Sequence, residues 1–155
     1  MAIYFEEIKK NYPTLPKDAL FDELRGEWPK LKNNPNYRNT CAIRLSVAFN
    51  KAGIAIPNNY REAIDGQGMN LIIKVKTMGE FLKSKLGDAY WGMSKNPTQP
   101  LSPSSIPHKK GICVYHAQWT DASGHFDLWT GDAFVGSGNF DDIEDGFEIA
   151  LWLLQ

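Results

Sequence analysis

Asn39-Thr40-Cys41-Ala42-Ile43-Arg44-Leu45-Ser46-Val47-Ala48-Phe49-Asn50 reads as an amphipathic helix with a cysteine in its first turn. Ala42, Leu45, Phe49 and Ala52 fall on one stripe, and Gly53 is a natural stop. Asn39 and Thr40 both belong to the residue types that cap a helix start with a side-chain oxygen. First-turn backbone N–H groups lack intrahelical partners, and the helix dipole is positive there. Such surroundings favour a thiolate, the form of cysteine that attacks carbonyl carbons.

A partner for that thiol lies in Ser123-Gly124-His125-Phe126-Asp127-Leu128-Trp129-Thr130-Gly131. Strand alternation puts His125, Asp127 and Trp129 on one face, with Phe126 and Leu128 on the other. A titratable face backed by an apolar one predicts a half-buried strand at the wall of a cleft. His125 is positioned in type and spacing to serve as base toward Cys41 and then as acid toward a leaving amine. Asp127 is the neighbour that can orient the imidazole.

Working outward, Phe5 and Ile8 line a short helix ending near Tyr12 and Pro13. Leu20, Phe21 and Leu24 line a second, stopped by Gly26. Residues 32–36 are a polar loop, and residues 58–70, with Gly66 and Gly68, an irregular one. Residues 71–75 read as a short strand. A helix follows, with Thr77 and Glu80 spaced as a capping box, Met78, Phe81, Leu82 and Leu86 on its apolar stripe, and Gly87 at its end. Residues 96–107 are rich in Pro and Ser and read as a long loop. The remaining chain turns to strands at 112–117, 124–129, 133–135 and 148–154. Helices first and strands later predict an α+β fold with an antiparallel sheet. A length of 155 residues suits one domain spanning 1–155.

Composition narrows the chemistry. A net charge of −1 without a basic block leaves no electrostatic footprint for nucleic acid. No apolar run is long enough to span a bilayer, and the N-terminus lacks the apolar core of a Sec signal. The chain is therefore expected to be made in the cytoplasm and, if it acts elsewhere, to be exported by other machinery. Of two cysteines, Cys113 lies in the apolar run Gly111-Ile112-Cys113-Val114-Tyr115, where a buried, unreactive thiol is expected rather than a disulfide. Cys113, His116, His125 and Asp127 are close enough in sequence to suggest a metal. Cys113 and His116, however, point to opposite faces of a strand, and no CxxC or HExxH spacing occurs. Gly66-Gln67-Gly68 is too short for a phosphate cradle, and Ser46 and Ser123 lack a nucleophile elbow. Neither metal nor cofactor is expected.

Taken together, Asn39-Thr40-Cys41-Ala42-Ile43-Arg44-Leu45-Ser46, Lys110 to Tyr115, Gly124 to Gly131 and Leu151-Trp152-Leu153-Leu154 make the chain resemble the type VI secretion amidase effector 4 (Tae4) family over nearly its whole length. The resemblance implies a papain-like, NlpC/P60-type cysteine peptidase. It implies hydrolysis of the D-glutamate–meso-diaminopimelate bond in peptidoglycan stem peptides. It also implies injection into the periplasm of rival bacteria by the type VI apparatus, and a cognate immunity protein. Cys41 matches the family nucleophile and His125 the family base. The family's acidic residue belongs to the loop after the histidine, where this chain has Gly136. Asp127 is the favoured third member, with Asp132 and Asn139 as alternatives. Residues 133–140 contain no cysteine, so the family's cysteine-paired lid is absent and a shorter or more mobile one is expected.

The expected chemistry is acyl transfer through a thioester. The Cys41 backbone N–H, aided by Asn39 or Tyr37, is the expected oxyanion donor. Arg44 is either a carboxylate reader or half of a structural salt bridge, and Trp119 and Trp129 either line the cleft or pack. Two other readings share these features: a cysteine hydrolase acting on proteins, and an inert cell-wall-binding module.

Overall fold

The computed structural model describes residues 2–94, 96, 98, 101–116, 124–140, 143 and 148–155. Its helices are α1 (Phe5–Asn11), α2 (Lys17–Leu24), α3 (Cys41–Lys51) and α4 (Val75–Leu86). The strands are β1 (Ala63–Ile64), β2 (Asn70–Leu71), β3 (Trp91–Ser94), β4 (Gly111–His116), β5 (Gly124–Trp129) and β6 (Glu148–Leu153). β1 and β2 form a small ladder of their own, and the other four make an antiparallel sheet in the order β3-β6-β4-β5. The α+β class and the helix-against-sheet arrangement are those expected.

α3 is where this architecture is fixed. Its apolar stripe packs with Ile112 and Val114 of β4, Phe126 and Leu128 of β5, and Met78, Phe81 and Leu82 of α4. Each large apolar side chain buried this way contributes about 1.5–3 kcal/mol. The opposite side of α3, through Ile43 and Val47, packs on Leu20, Phe21, Leu24 and Trp28. Ser46 staples the helix to the following segment: its Oγ donates to Ala42 O at 2.7 Å and accepts from Ile72 N at 2.9 Å.

The sheet is covered on both faces. Cys113, Tyr115, Trp129, Ile149 and Leu151 face a second apolar cluster with Leu101, Ile106 and Ile143. The expectation of a half-buried β5 is thereby corrected: every residue of that strand is buried. A core on the far side was not legible because it is assembled from loop residues of 101–106 and Ile143. Trp129 packs in it, its Nε1 donating to Pro107 O at 3.0 Å, and does not line the cleft; Trp119 lies outside the described residues.

Three element boundaries differ from expectation, each through a tertiary hydrogen bond. The helix expected to begin at Thr77 begins at Val75 without a capping box. Instead Glu62 Oε1 accepts from Ile73 N and Lys74 N, both at 2.8 Å, and Oε2 from Thr77 Oγ1 at 2.9 Å. A carboxylate from a distant loop thus satisfies the donors ahead of the helix. For the same reason the strand expected over 71–75 shrinks to the two residues of β2. Of residues 133–135, Phe134 alone bridges Trp129, because this segment covers the open side of the outer strand β5, with Val135 N on Leu128 O at 3.0 Å. β3, not expected from sequence, pairs with β6 through Trp91 and Leu151.

Candidate active site

Cys41 is the first residue of α3 and His125 the second of β5, the outer strand of the sheet. Asn39 ties the two elements together: its Nδ2 donates to Gly124 O at 2.9 Å and its Oδ1 accepts from Cys41 N at 3.1 Å. One amide therefore sets both the start of the helix and its distance from the histidine. Thr40 occupies the cap position without capping, since its Oγ1 accepts from Arg44 Nε at 2.8 Å. The imidazole interacts with both Asp127 and the Cys41 side chain. The Asp127 contact is a hydrogen bond between Nε2 and Oδ2 at 3.0 Å, and Cys41 and His125 line the same cleft. Asp127 is only 1% and His125 8% exposed.

Asp127 is held from several directions. Oδ1 accepts from Leu128 N at 2.8 Å and Gly136 N at 2.7 Å, and Oδ2 from Gly138 N at 2.7 Å besides the imidazole. The loop after β5 is thus tied to Asp127 through the backbone N–H groups of Gly136 and Gly138. Gly136 and Gly138 are required for that approach: a Cβ at Gly136 would stand 2.9 Å from Oδ1, and one at Gly138 would stand 2.9 Å from Oδ2. Asp132 lies elsewhere, paired with His108 at 3.3 Å, and the Asn139 backbone N–H donates to Tyr115 Oη at 3.2 Å.

Cys41 and His125 open onto a cleft of about 440 Å³, lined also by Tyr12, Pro13, Leu15, Arg38, Arg44 and Ser137. Arg44 makes no ion pair among the described residues, so the expected structural salt bridge is absent there. Its guanidinium donates to Pro13 O at 3.1 Å and Leu15 O at 2.6 Å, and so ties the α1–α2 connection to α3 as one wall of the cleft. The Cys41 N–H and both functional atoms of Asn39 are engaged as described above, and Tyr37 packs edge-on against Trp28 at 5.4 Å. Sequence reading missed the bridging role of Asn39, which requires knowing that residue 124 lies beside residue 39. Among the described residues no cluster of His, Cys, Asp and Glu is suited to a metal. Cys113 is free and buried, and burial followed by the charge of Asp127 pushes its thiol pKa up.

Burial disfavours the charged imidazole of His125, but hydrogen bonds to Asp127 and Cys41, with the charges of both, outweigh it and raise the pKa from 6.5 to about 9. His125 therefore carries its proton at neutral pH in the folded protein. Because the folded value lies above the unfolded one, the associated stability is complete below about pH 6.5 and is lost as pH rises through about 9. Thermal unfolding across this range should show the midpoint of the wild type falling relative to His125→Ala. Parallel curves for the two proteins would contradict the assignment.

The fold matches solved structures along its whole length. Tae4 from Enterobacter cloacae, in the type VI effector–immunity complex Tae4–Tai4, superposes with TM-score 0.84 at 23% identity, covering 100% of both chains. The effector Tae4 from Salmonella typhimurium, solved with the immunity Tai4 from Enterobacter cloacae, gives 0.84 at 21% identity with 99% of each chain covered. At such identities the likeness establishes the fold. No curated protein matches the sequence. Residues 37–152 match the model of the type VI secretion system (T6SS) amidase effector protein 4, which spans the helix with Cys41, the strand with His125 and the closing strand, and the chain accordingly belongs to the Tae4 family of amidase effectors.

Proposed function

We propose that this amidase hydrolyses the D-glutamate–meso-diaminopimelate bond of peptidoglycan stem peptides, using Cys41 as nucleophile, His125 as acid and base, and Asp127 to orient the imidazole. The carrying observation is the hydrogen-bonded Asp127–His125 pair at a cleft that His125 and Cys41 line together. The Cys41 sulfur attacks the γ-carbonyl carbon of D-glutamate, and the imidazolium gives its proton to the diaminopimelate nitrogen as the C–N bond breaks. Water, losing a proton to the now neutral imidazole, then cleaves the thioester and frees the γ-carboxylate. Residues 1–155 act as one amidase unit, delivered by the type VI apparatus into the periplasm of target bacteria. A cognate immunity protein protects the producer, in keeping with the effector–immunity pairing named for the similar structures.

The cleft lining supports an acidic substrate: it includes Arg38, Arg44 and His125 and no Asp or Glu. Arg38 is exposed, and none of the ion pairs among the described residues involves it. It is the cation available to the α-carboxylate of the D-glutamyl residue. A charge-assisted hydrogen bond is worth about 1.5–3 kcal/mol. Arg38→Ala should therefore lower kcat/KM on stem peptides by roughly tenfold or more, chiefly through KM, and leave a peptide amidated at that carboxylate unaffected. An equal loss on both peptides would remove Arg38 from recognition.

Mass spectrometry of sacculi digested by the purified protein tests the activity itself. New free diaminopimelate amines and no other new termini are expected. Cleavage of a protein panel with sacculi left intact would favour a hydrolase acting on proteins, and no cleavage of either an inert wall-binding module.

A further inference from the structure

One wall of the cleft is largely main chain. Pro13, Thr14, Leu15 and Pro16 line it beside Cys41 and His125, within the connection between α1 and α2. The ends of this connection are not helical: Tyr12 has φ −77° and ψ 117°, and Pro16 has φ −57° and ψ 155°. A single nitrogen of Arg44 gathers Pro13 O and Leu15 O, so those two carbonyls point the same way. In extended backbone, successive residues present their N–H and C=O groups to opposite sides. Thr14, between the two, therefore turns its own pair away from Arg44. Thr14 is exposed, and among the described residues neither its N–H nor its C=O has a hydrogen-bond partner. Proline has no N–H and Leu15 O is engaged, which leaves Thr14 as the residue of this wall with both a donor and an acceptor to offer. Arg44 Nε also donates to Thr40 Oγ1, directly before the nucleophile, so one guanidinium sets the wall against Cys41.

We infer that Thr14 binds the main chain of the stem peptide, its N–H donating to a peptide carbonyl and its C=O accepting from a peptide N–H. This is the pairing by which an extended peptide adds to an exposed sheet edge. Arg44 is the positioning residue that holds this edge in place. The inference rests on the amidase reading and deepens it: Arg38 meets the charge of the substrate, and Thr14 meets its uncharged backbone.

Calorimetric titration of full-length Cys41→Ala protein with L-alanyl-γ-D-glutamyl-meso-diaminopimelate measures binding without hydrolysis. Adding Thr14→Pro deletes the N–H and should raise Kd roughly two- to tenfold, the range for one lost hydrogen bond. The factor should be the same on the peptide amidated at the D-glutamyl carboxylate, because main-chain pairing does not sense that charge. Arg44→Lys is the second variant: a lone ammonium cannot reproduce the planar fork that reaches Thr40 and both carbonyls, and Kd should rise at least as much. With Cys41 restored, both changes should raise KM on stem peptides while kcat, and acylation of Cys41 by the small ester p-nitrophenyl acetate, stay within about twofold. An unchanged Kd would overturn the inference, as would a loss confined to the acidic peptide or a matching loss of acylation. If binding follows the expected pattern but wild type releases no diaminopimelate amine from sacculi, the amidase reading fails and the docking edge stands. If the Cys41→Ala protein binds no tripeptide, both fail.

Discussion

Cys41→Ala is expected to abolish release of diaminopimelate amines from sacculi, a loss of about 10⁴-fold or more, as removal of a covalent nucleophile costs in comparable enzymes. Two features make the result clean. Ala at the first position of α3 retains the helix start, because Asn39 Oδ1 binds the backbone N–H and not the sulfur. The second thiol, Cys113, is buried on the far face of the sheet and cannot replace it. Iodoacetamide should accordingly add one label to native wild type and none to native Cys41→Ala, with Cys113 reacting after unfolding. Periplasmic expression gives the matching phenotype: lysis by wild type and survival with the variant. Continued toxicity of Cys41→Ala would end the enzymatic account and favour an inert binder.

Asp127→Asn should be the second most damaging change, in stability as well as rate. Both carboxylate oxygens accept from two N–H groups each, so an amide NH₂ on either side opposes two donors. Facing the imidazole it inverts the ring's hydrogen bonding; facing Leu128 and Gly136 it strands two backbone donors. Breaking a buried, hydrogen-bonded charged group of this kind costs about 3–5 kcal/mol. Loss of the residue that orients a catalytic imidazole lowers kcat by as much as roughly 10⁴-fold. Urea unfolding and sacculus hydrolysis measured side by side should show both losses. Asp132→Asn is the control: its carboxylate pairs with His108 at an exposed site and should change neither. If Asp132→Asn inactivates the enzyme while Asp127→Asn does not, the third member has been misassigned.

The parts of this site legible in the sequence are those governed by local periodicity. The stripe of Ala42, Leu45, Phe49 and Ala52 and the stop at Gly53 define α3, and with it a cysteine in the first turn. The alternation in Gly124-His125-Phe126-Asp127-Leu128-Trp129 defines β5 and puts His125 and Asp127 on one side of it. The boundaries that shifted are those where hydrogen bonds come from far along the chain, as with Glu62 ahead of α4 and Val135 on β5. Such partners leave no periodic trace, since their sequence separation is arbitrary.

By itself the sequence determined that a thiol would open an amphipathic helix, and that an imidazole and a carboxylate would stand two residues apart on one face of a strand. These follow from helical and strand periods acting within a dozen residues. Only the tertiary structure decided which carboxylate meets the imidazole, which arginine of the cleft ties its walls together, and which donors are already engaged. Those choices depend on how many hydrogen bonds each group has already made. Asp127 draws its partners from β5 and the loop after it, Arg44 from the α1–α2 connection, and Asn39 from the start of α3 and from β5, segments that only the folded chain brings together.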